Sequence, residues 1–299
     1  MMIRVIERKK ALRDRESIRN TKEKSMNKKK SKCRHPGLGR RLIARFSGLG
    51  TGFASRLHSF AIFLEKVANT LKFEHFWKRE VQSNPEVVIV DSFTRSRSKH
   101  AIWNIAIEHV KGLGESGQVY EFGTNNGGSL YYFWQGLPRN MQFHGFDTFT
   151  GIPENWDSLP PGSIRGYGYP YELWREHPEQ RAAVEEEVQR TGRIPAVPQK
   201  NIHIHKGLFA HTLPELLANG PADDIRLIHF DADIYMGTRP VLDSLCGQID
   251  YRYYILFDEL YSVNHEFKAW IEFVRWFEVE QWKVVAISED GVQALIQVN

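Results

Sequence analysis

At 299 residues, 41% of them hydrophobic and 25% charged, the chain can build a substantial core and reads as neither a fibre nor a membrane protein. No apolar run approaches the ~20 residues of a spanning helix, and residues 7–34 are too polar to hold the apolar region of a secretory signal. The net charge is +4 and the cysteines are two, Cys33 and Cys246, too few for a disulfide framework or a Cys-rich zinc site, so a reducing cytoplasm is the expected setting.

The charge is unevenly placed. Residues 1–47 hold 17 Lys and Arg against 4 Asp and Glu, which leaves 23 basic and 32 acidic residues for the rest. With runs such as Lys28-Lys29-Lys30 and few apolar side chains to bury, 1–47 is expected to be a disordered basic arm. It serves as a solubilising tail or, alternatively, as an anchor for nucleic acid or an anionic membrane surface. A helical extension follows at 48–97. Within Leu42–Phe76, Leu57, Phe60, Ala61, Leu64, Val67, Ala68 and Leu71 recur near a helical period. The predicted amphipathic helix docks that face on the domain or on a second subunit, the latter giving a homodimer. Arg40, Arg41, Arg45 and Arg56 could instead favour a membrane surface.

From Gln118 onward short apolar strands alternate with helical stretches, the mark of βαβ units and a parallel sheet. Strands are predicted at Val119–Phe122, Gln142–Phe146, Ile202–His205, Ile225–Phe230 and Arg252–Phe257, with helices near 128–137, 212–219, 237–246 and 265–280. Two further strands, Lys283–Ile287 and Val292–Gln297, are joined by only Ser288-Glu289-Asp290-Gly291, which implies an antiparallel hairpin. The domain expected over 98–299 is therefore α/β, a doubly wound, Rossmann-like sheet of seven strands closed by that hairpin. The stretch 151–200, rich in Gly, Pro and aromatic residues and ending in a charged helix near 178–190, fits neither scheme. It reads as a lid or substrate loop, with Trp156, Tyr167, Tyr169, Tyr171 and Trp174 suited to stacking on an acceptor.

The sharpest local signal is Val119-Tyr120-Glu121-Phe122-Gly123-Thr124-Asn125-Asn126-Gly127-Gly128-Ser129, an apolar strand, a glycine turn and a helix start. Glycines there let the backbone approach a ligand, and the helix N-terminus offers free N–H groups. A pyrophosphate site would show a different glycine spacing. Glu121 at the mouth of the loop would repel phosphate but attract the amino group and sulfonium of S-adenosylmethionine, which disfavours an NAD-dependent oxidoreductase. Asp147, ending the second strand, can accept both hydroxyls of a ribose or simply cap the loop after it.

Asp231 and Asp233 end one buried strand, and Asp258 and Glu259 end the next. Carboxylates that close favour a cation among them, and an all-oxygen set suits Mg2+; otherwise they are solvated strand-end acids. His203, His205 and His229 lack a third fixed ligand at zinc spacing and read as packed or hydrogen-bonded strand histidines. His265-Glu266 could line the acceptor pocket or cap a helix, and Trp270, Phe273, Trp276 and Phe277 read as core.

Taken in order, Glu121-Phe122-Gly123 with Gly127-Gly128-Ser129, Gly145-Phe146-Asp147-Thr148-Phe149-Thr150-Gly151-Ile152-Pro153-Glu154, Lys206-Gly207-Leu208-Phe209, His229-Phe230-Asp231-Ala232-Asp233-Ile234-Tyr235 and Phe257-Asp258-Glu259 resemble the macrocin O-methyltransferase-like family over about 98–299. The sheet with its terminal hairpin likewise resembles the seven-stranded class I methyltransferase fold. The resemblance implies Mg2+-dependent O-methylation of a sugar hydroxyl, or of another small-molecule or glycan acceptor, with S-adenosylmethionine as donor. It implies that Glu121, Gly123 and Ser129, in a loop that also holds Thr124 and Gly127, take the donor's amino-acid end. Asp147 would take its ribose, and Asp231 would contact both donor and metal. Asp231, Asp258 and Glu259 match the metal ligands and Asp233 a general base. The antibiotic-tailoring members have two aspartates where this chain has Asp258-Glu259. A binding or scaffold protein that kept the fold and lost activity is the alternative from another class; it would fail to bind S-adenosylhomocysteine.

Overall fold

The computed structural model describes residues 51–92, 95–156, 159–219, 224–249 and 251–299. The basic arm expected at 1–47, and residues 42–50 of the predicted helix, lie outside them. Helix α1 runs over Thr51–Phe76, residues 51–61 belonging to a unit separate from the body that begins at Ile62. Within the body, the docked face of α1 is not the predicted one. Asn69, Phe73 and Phe76 are buried, while Leu64, Val67 and Leu71 are exposed. The buried side carries the large apolar rings of Phe73 and Phe76. Phe73 and Phe76 meet the Phe267 ring at centroid distances of 5.0 and 5.6 Å, and Asn69 Nδ2 donates to Asn264 Oδ1 at 2.9 Å.

All seven predicted strands form. They are β2 (Gln118–Phe122), β3 (Gln142–Asp147), β4 (Ile202–Lys206), β5 (Ile225–Phe230), β6 (Tyr253–Phe257), β7 (Trp282–Ser288) and β8 (Ala294–Val298). The stretch read as purely helical adds an eighth, β1 (Val88–Val90), paired parallel to β7. Only three residues long and largely exposed, it carries no alternation to read. The sheet order is β1-β7-β8-β6-β5-β2-β3-β4, with β8 antiparallel to both β6 and β7 as the short hairpin requires. Helices α2 (Arg95–Lys111), α3 (Gly128–Gly136), α4 (Pro178–Thr191), α5 (Phe209–Asn219), α6 (Tyr235–Leu245) and α7 (Glu266–Phe277) complete the fold.

Strands β5 and β6 are apolar almost throughout because both their faces are covered. One core holds Phe267 and Trp270 of α7 and Leu242 of α6; the other holds Ile102 and Trp103 of α2 and Leu130 and Phe133 of α3. The second core also swallows part of the predicted lid. Tyr169, Leu173 and Trp174 are almost fully buried, so Tyr169 and Trp174 are packing residues rather than a stacking platform. Tyr167 stays exposed. Among the described residues no helix is long and apolar enough to cross a membrane.

On β3 and β4 the histidines pack on one another. His144 Nδ1 and His205 Nε2 lie 3.0 Å apart, and the rings of His144 and His203 stack at 4.9 Å. Burial, then the neighbouring histidines, holds His144 down to about 3 and His205 to about 4. Both are neutral in the folded protein and bind protons on unfolding below 6.5, so this pair costs stability as pH falls from there towards 4. The urea midpoint should drop across that interval, and His144→Gln should flatten the drop; an unchanged slope in the variant would refute the assignment.

Candidate functional site

The chain reverses direction of winding between β2 and β5, which lie side by side. Open α/β sheets bind ligands outside the carboxyl ends of the strands at such a point. The last residues of β2, β5 and β6 and the last but one of β3 there form a row of rings. Phe122 stacks on Phe146 at 4.6 Å and on Phe230 at 5.6 Å, and Phe230 on Phe257 at 5.4 Å. One residue later the chain supplies Gly123, Asp231 and Asp258, beside Asp147 at the end of β3. Their placement is fixed by the ladder: Gly123 N–H donates to the Phe146 carbonyl, Asp231 N–H to Phe122 and Asp258 N–H to Phe230, each at 2.9 Å.

A cavity of about 340 Å³ opens above this row, lined by Gly123, Asp147, Leu208, Phe209, Asp231 and Asp233 among others. Ile152, Pro153 and Ile164 of the insertion reach its rim. A second pocket, about 530 Å³, includes Lys99, Trp103, Ser129, Tyr132 and Arg175 and shares Asp231 with the first. Gly123 has φ +101°, and a side-chain carbon there would overlap the Asp231 carbonyl oxygen. Gly127, at φ +80°, caps α3 against Pro170 and Leu173 of the insertion. Asp233 has φ 62°, a conformation non-glycine residues adopt at a cost and keep where the surroundings demand it.

Asp147 organises the loops round it. Its Oδ2 accepts the Asn125 N–H at 2.8 Å and its Oδ1 the Phe149 N–H at 2.6 Å. Burial raises its carboxyl above the ordinary value against the pull of these bonds. Thr124 is buried, and its hydroxyl finds no hydrogen-bond partner among the described residues.

Glu121 sits elsewhere than expected. It is fully buried, lines neither cavity, and its Oε2 pairs with His229 Nδ1 at 2.9 Å. Its Oε1 has no hydrogen-bond partner among the described residues. His229 Nε2 in turn lies 3.7 Å from Asp258 Oδ1. Burial alone would lower the imidazole, but Asp258 and Glu121 outweigh it and push it up to about 10. His229 is thus a hydrogen-bonded strand histidine held between two acids.

The four strand-end acids divide. Asp258 is buried and ion-paired to Lys99 Nζ, which also lies 3.6 Å from Asp231 Oδ2. Although burial opposes it, contact with His229 and Lys99 holds Asp258 below the usual carboxylate range. Burial and the Asp258 charge push Asp231 up to about 6. Glu259 lines a separate pocket with Trp156 and His265. Glu266 ties the two loops together, Oε1 accepting Ala232 N–H at 3.4 Å and Oε2 accepting Glu259 N–H at 3.1 Å. Its burial, and then Asp233, Asp231 and Asp258, raises it well above an ordinary glutamate. Among the described residues no group of three or more His, Cys, Asp or Glu is arranged to hold a metal ion.

Sequence reasoning missed Lys99. Its signal is its place one helical turn before buried Trp103, extending the inward face of α2 with a charge; the ammonium lies 5.0 Å from the Trp103 ring.

A family model described as Macrocin-O-methyltransferase (TylF) matches residues 78–292. Among solved structures, the O-methyltransferase NovP is 21% identical, over 67% of this chain and 79% of its own, with a TM-score of 0.47. The calicheamicin methyltransferase CalS11 is 19% identical, over 77% and 91%, with a TM-score of 0.48. An O-methyltransferase from Bacillus cereus in complex with SAH is 13% identical, over 67% and 81%, at 0.41. No curated protein matches the chain.

Proposed function

The chain belongs to the macrocin-O-methyltransferase family and so to the S-adenosylmethionine-dependent methyltransferases; on that premise we propose that it methylates a hydroxyl of a sugar or other small-molecule or glycan acceptor. The observation that carries the site is the cavity over the ends of β2, β3 and β5, with the side-chain-free approach at Gly123 and Asp147 beside it. Asp147 accepts from the ribose hydroxyls. The loop Gly123, Thr124 and Gly127, Ser129 at the start of α3, and Asp231 take the donor's amino-acid end, where free N–H groups meet its carboxylate. Glu121 stands behind this loop, where its pairing with His229 holds the end of β2.

In the reaction, the acceptor oxygen attacks the methyl carbon in line. The O–C bond forms as the S–C bond breaks, the electron pair returns to sulfur, and S-adenosylhomocysteine leaves uncharged. Asp233, on the cavity wall, takes the hydroxyl proton. Positioning supplies most of the acceleration. The three carboxylates that the family resemblance assigns to Mg2+ do not fit it here: Asp258 is held by Lys99, and Glu259 lines another pocket.

Calorimetric titration with S-adenosylhomocysteine should give micromolar binding; none would leave the scaffold reading in its place. Asp233→Asn should lower kcat by roughly 10²–10⁴-fold while keeping that affinity. A kcat within a few fold of the parent would remove Asp233 as base. The exposed stripe Leu64, Val67 and Leu71 supports a homodimer through α1, which light scattering of the intact chain would test.

A further inference from the structure

We propose that the Lys99 ammonium is the resident cation of the strand-end acids, standing between Asp231 and Asp258 where a divalent ion would stand, so that methyl transfer by this chain needs no metal. The inference rests on the methyltransferase reading. Lys99 reaches the site from α2, its side chain 26% exposed and its ammonium against the Trp103 ring. It contacts Asp258, whose own side chain is 1% exposed, and lies 3.6 Å from Asp231 on the next strand. A lysine already joining these two carboxylates leaves a dication to displace a like charge from a buried ion pair. Mg2+ keeps several waters and takes one or two carboxylates, and the two it would take here, Asp231 and Asp258, both already face the Lys99 ammonium. The third expected ligand, Glu259, lines the pocket beside Trp156 and His265.

The position is also suited to work. Lys99 and Asp231 both line the second pocket with Ser129 and Tyr132. A fixed ammonium there offers positive charge beside the reacting centre and holds Asp231 and Asp258 in place without an ion to be loaded. Lys99 is thus a positioning residue. Its removal leaves Asp231 without the ammonium and Asp258 facing His229 alone, which opens room for a cation between them.

The test is titration of the intact protein with Mn2+ followed by electron paramagnetic resonance, in the presence of S-adenosylhomocysteine. The parent chain should show no specific site at millimolar Mn2+, and its turnover should be unchanged by EDTA. Lys99→Ala should bind one Mn2+ per chain at least roughly tenfold more tightly than the parent, and adding Asp258→Asn should abolish that site. A parent that binds one Mn2+ in an Asp258-dependent manner overturns the proposal, as does a Lys99→Ala protein that folds and gains no site. If Lys99→Ala does not fold, the parent titration decides alone, and Lys99→Arg should behave as the parent does. Absence of S-adenosylhomocysteine binding would fault the methyltransferase reading, whereas the Mn2+ result reports on Lys99.

Discussion

Gly123→Ala should abolish S-adenosylhomocysteine binding and lower the unfolding free energy by several kcal/mol. The first reason is the backbone: φ of +101° lies where an L side chain is strained. The second is contact, since the added carbon would overlap the carbonyl oxygen of Asp231. That carbonyl is not the far end of a flexible side chain. It belongs to a residue whose N–H is bonded to Phe122, so relief requires prising β2 from β5 at the point where they diverge. Overpacking costs ~1–3 kcal/mol where neighbours can shift, and here they cannot shift without breaking the sheet. Urea unfolding and calorimetry on the same sample check both halves. An alanine variant with the parent's midpoint and affinity would show that the two strand ends move apart freely.

His229→Leu should be nearly as damaging, at roughly 3–5 kcal/mol, the usual cost of stranding buried charges. The imidazole lies between Glu121 and Asp258, and all three side chains are at most 1% exposed. Without it Glu121 keeps no hydrogen-bond partner among the described residues and must ionise in an apolar setting or take up a proton. The double variant Glu121→Leu/His229→Leu should recover part of the loss, because no orphaned acid remains at β2. The pair also gives a pH signature. Its folded value is about 10 against an ordinary 6.5, so its stabilisation is complete below 6.5 and fades as pH rises towards 10. A stability profile of the parent flat over that range, or a double variant no better than the single, would refute the charged-histidine account.

The strands were readable because β5 and β6 are long apolar runs ended by acids, and the hairpin because four residues cannot make a crossover. The row Gly123, Asp147, Asp231 and Asp258 was legible as four strand ends, though which acids share a cavity was not. Asp258 and Glu259 are adjacent in sequence, and a turn in the chain sends the second to another pocket. Helix α2 was missed because Arg95, Arg97, Lys99 and His100 at its start disguise the buried series Ile102, Trp103, Ala106, Ile107 and Val110. Tyr169 and Trp174 were misread because glycines and prolines around them look like a loop whatever the rings do. The docking side of α1 turned on two phenylalanines lying beyond most of the aliphatic stripe.

The phenylalanine row beneath the site makes the acids part of the sheet rather than ornaments on its loops. The amides of Gly123, Asp231 and Asp258 are bonded to the carbonyls of those same phenylalanines. These amides should exchange their hydrogens only when the whole domain opens, at rates shared with the innermost strands. The protein therefore has no inexpensive way to loosen its reactive groups. Adaptation to a differently shaped acceptor is left to the rim, to Ile152, Pro153 and Ile164; the amide of exposed Ile164 should exchange orders of magnitude sooner.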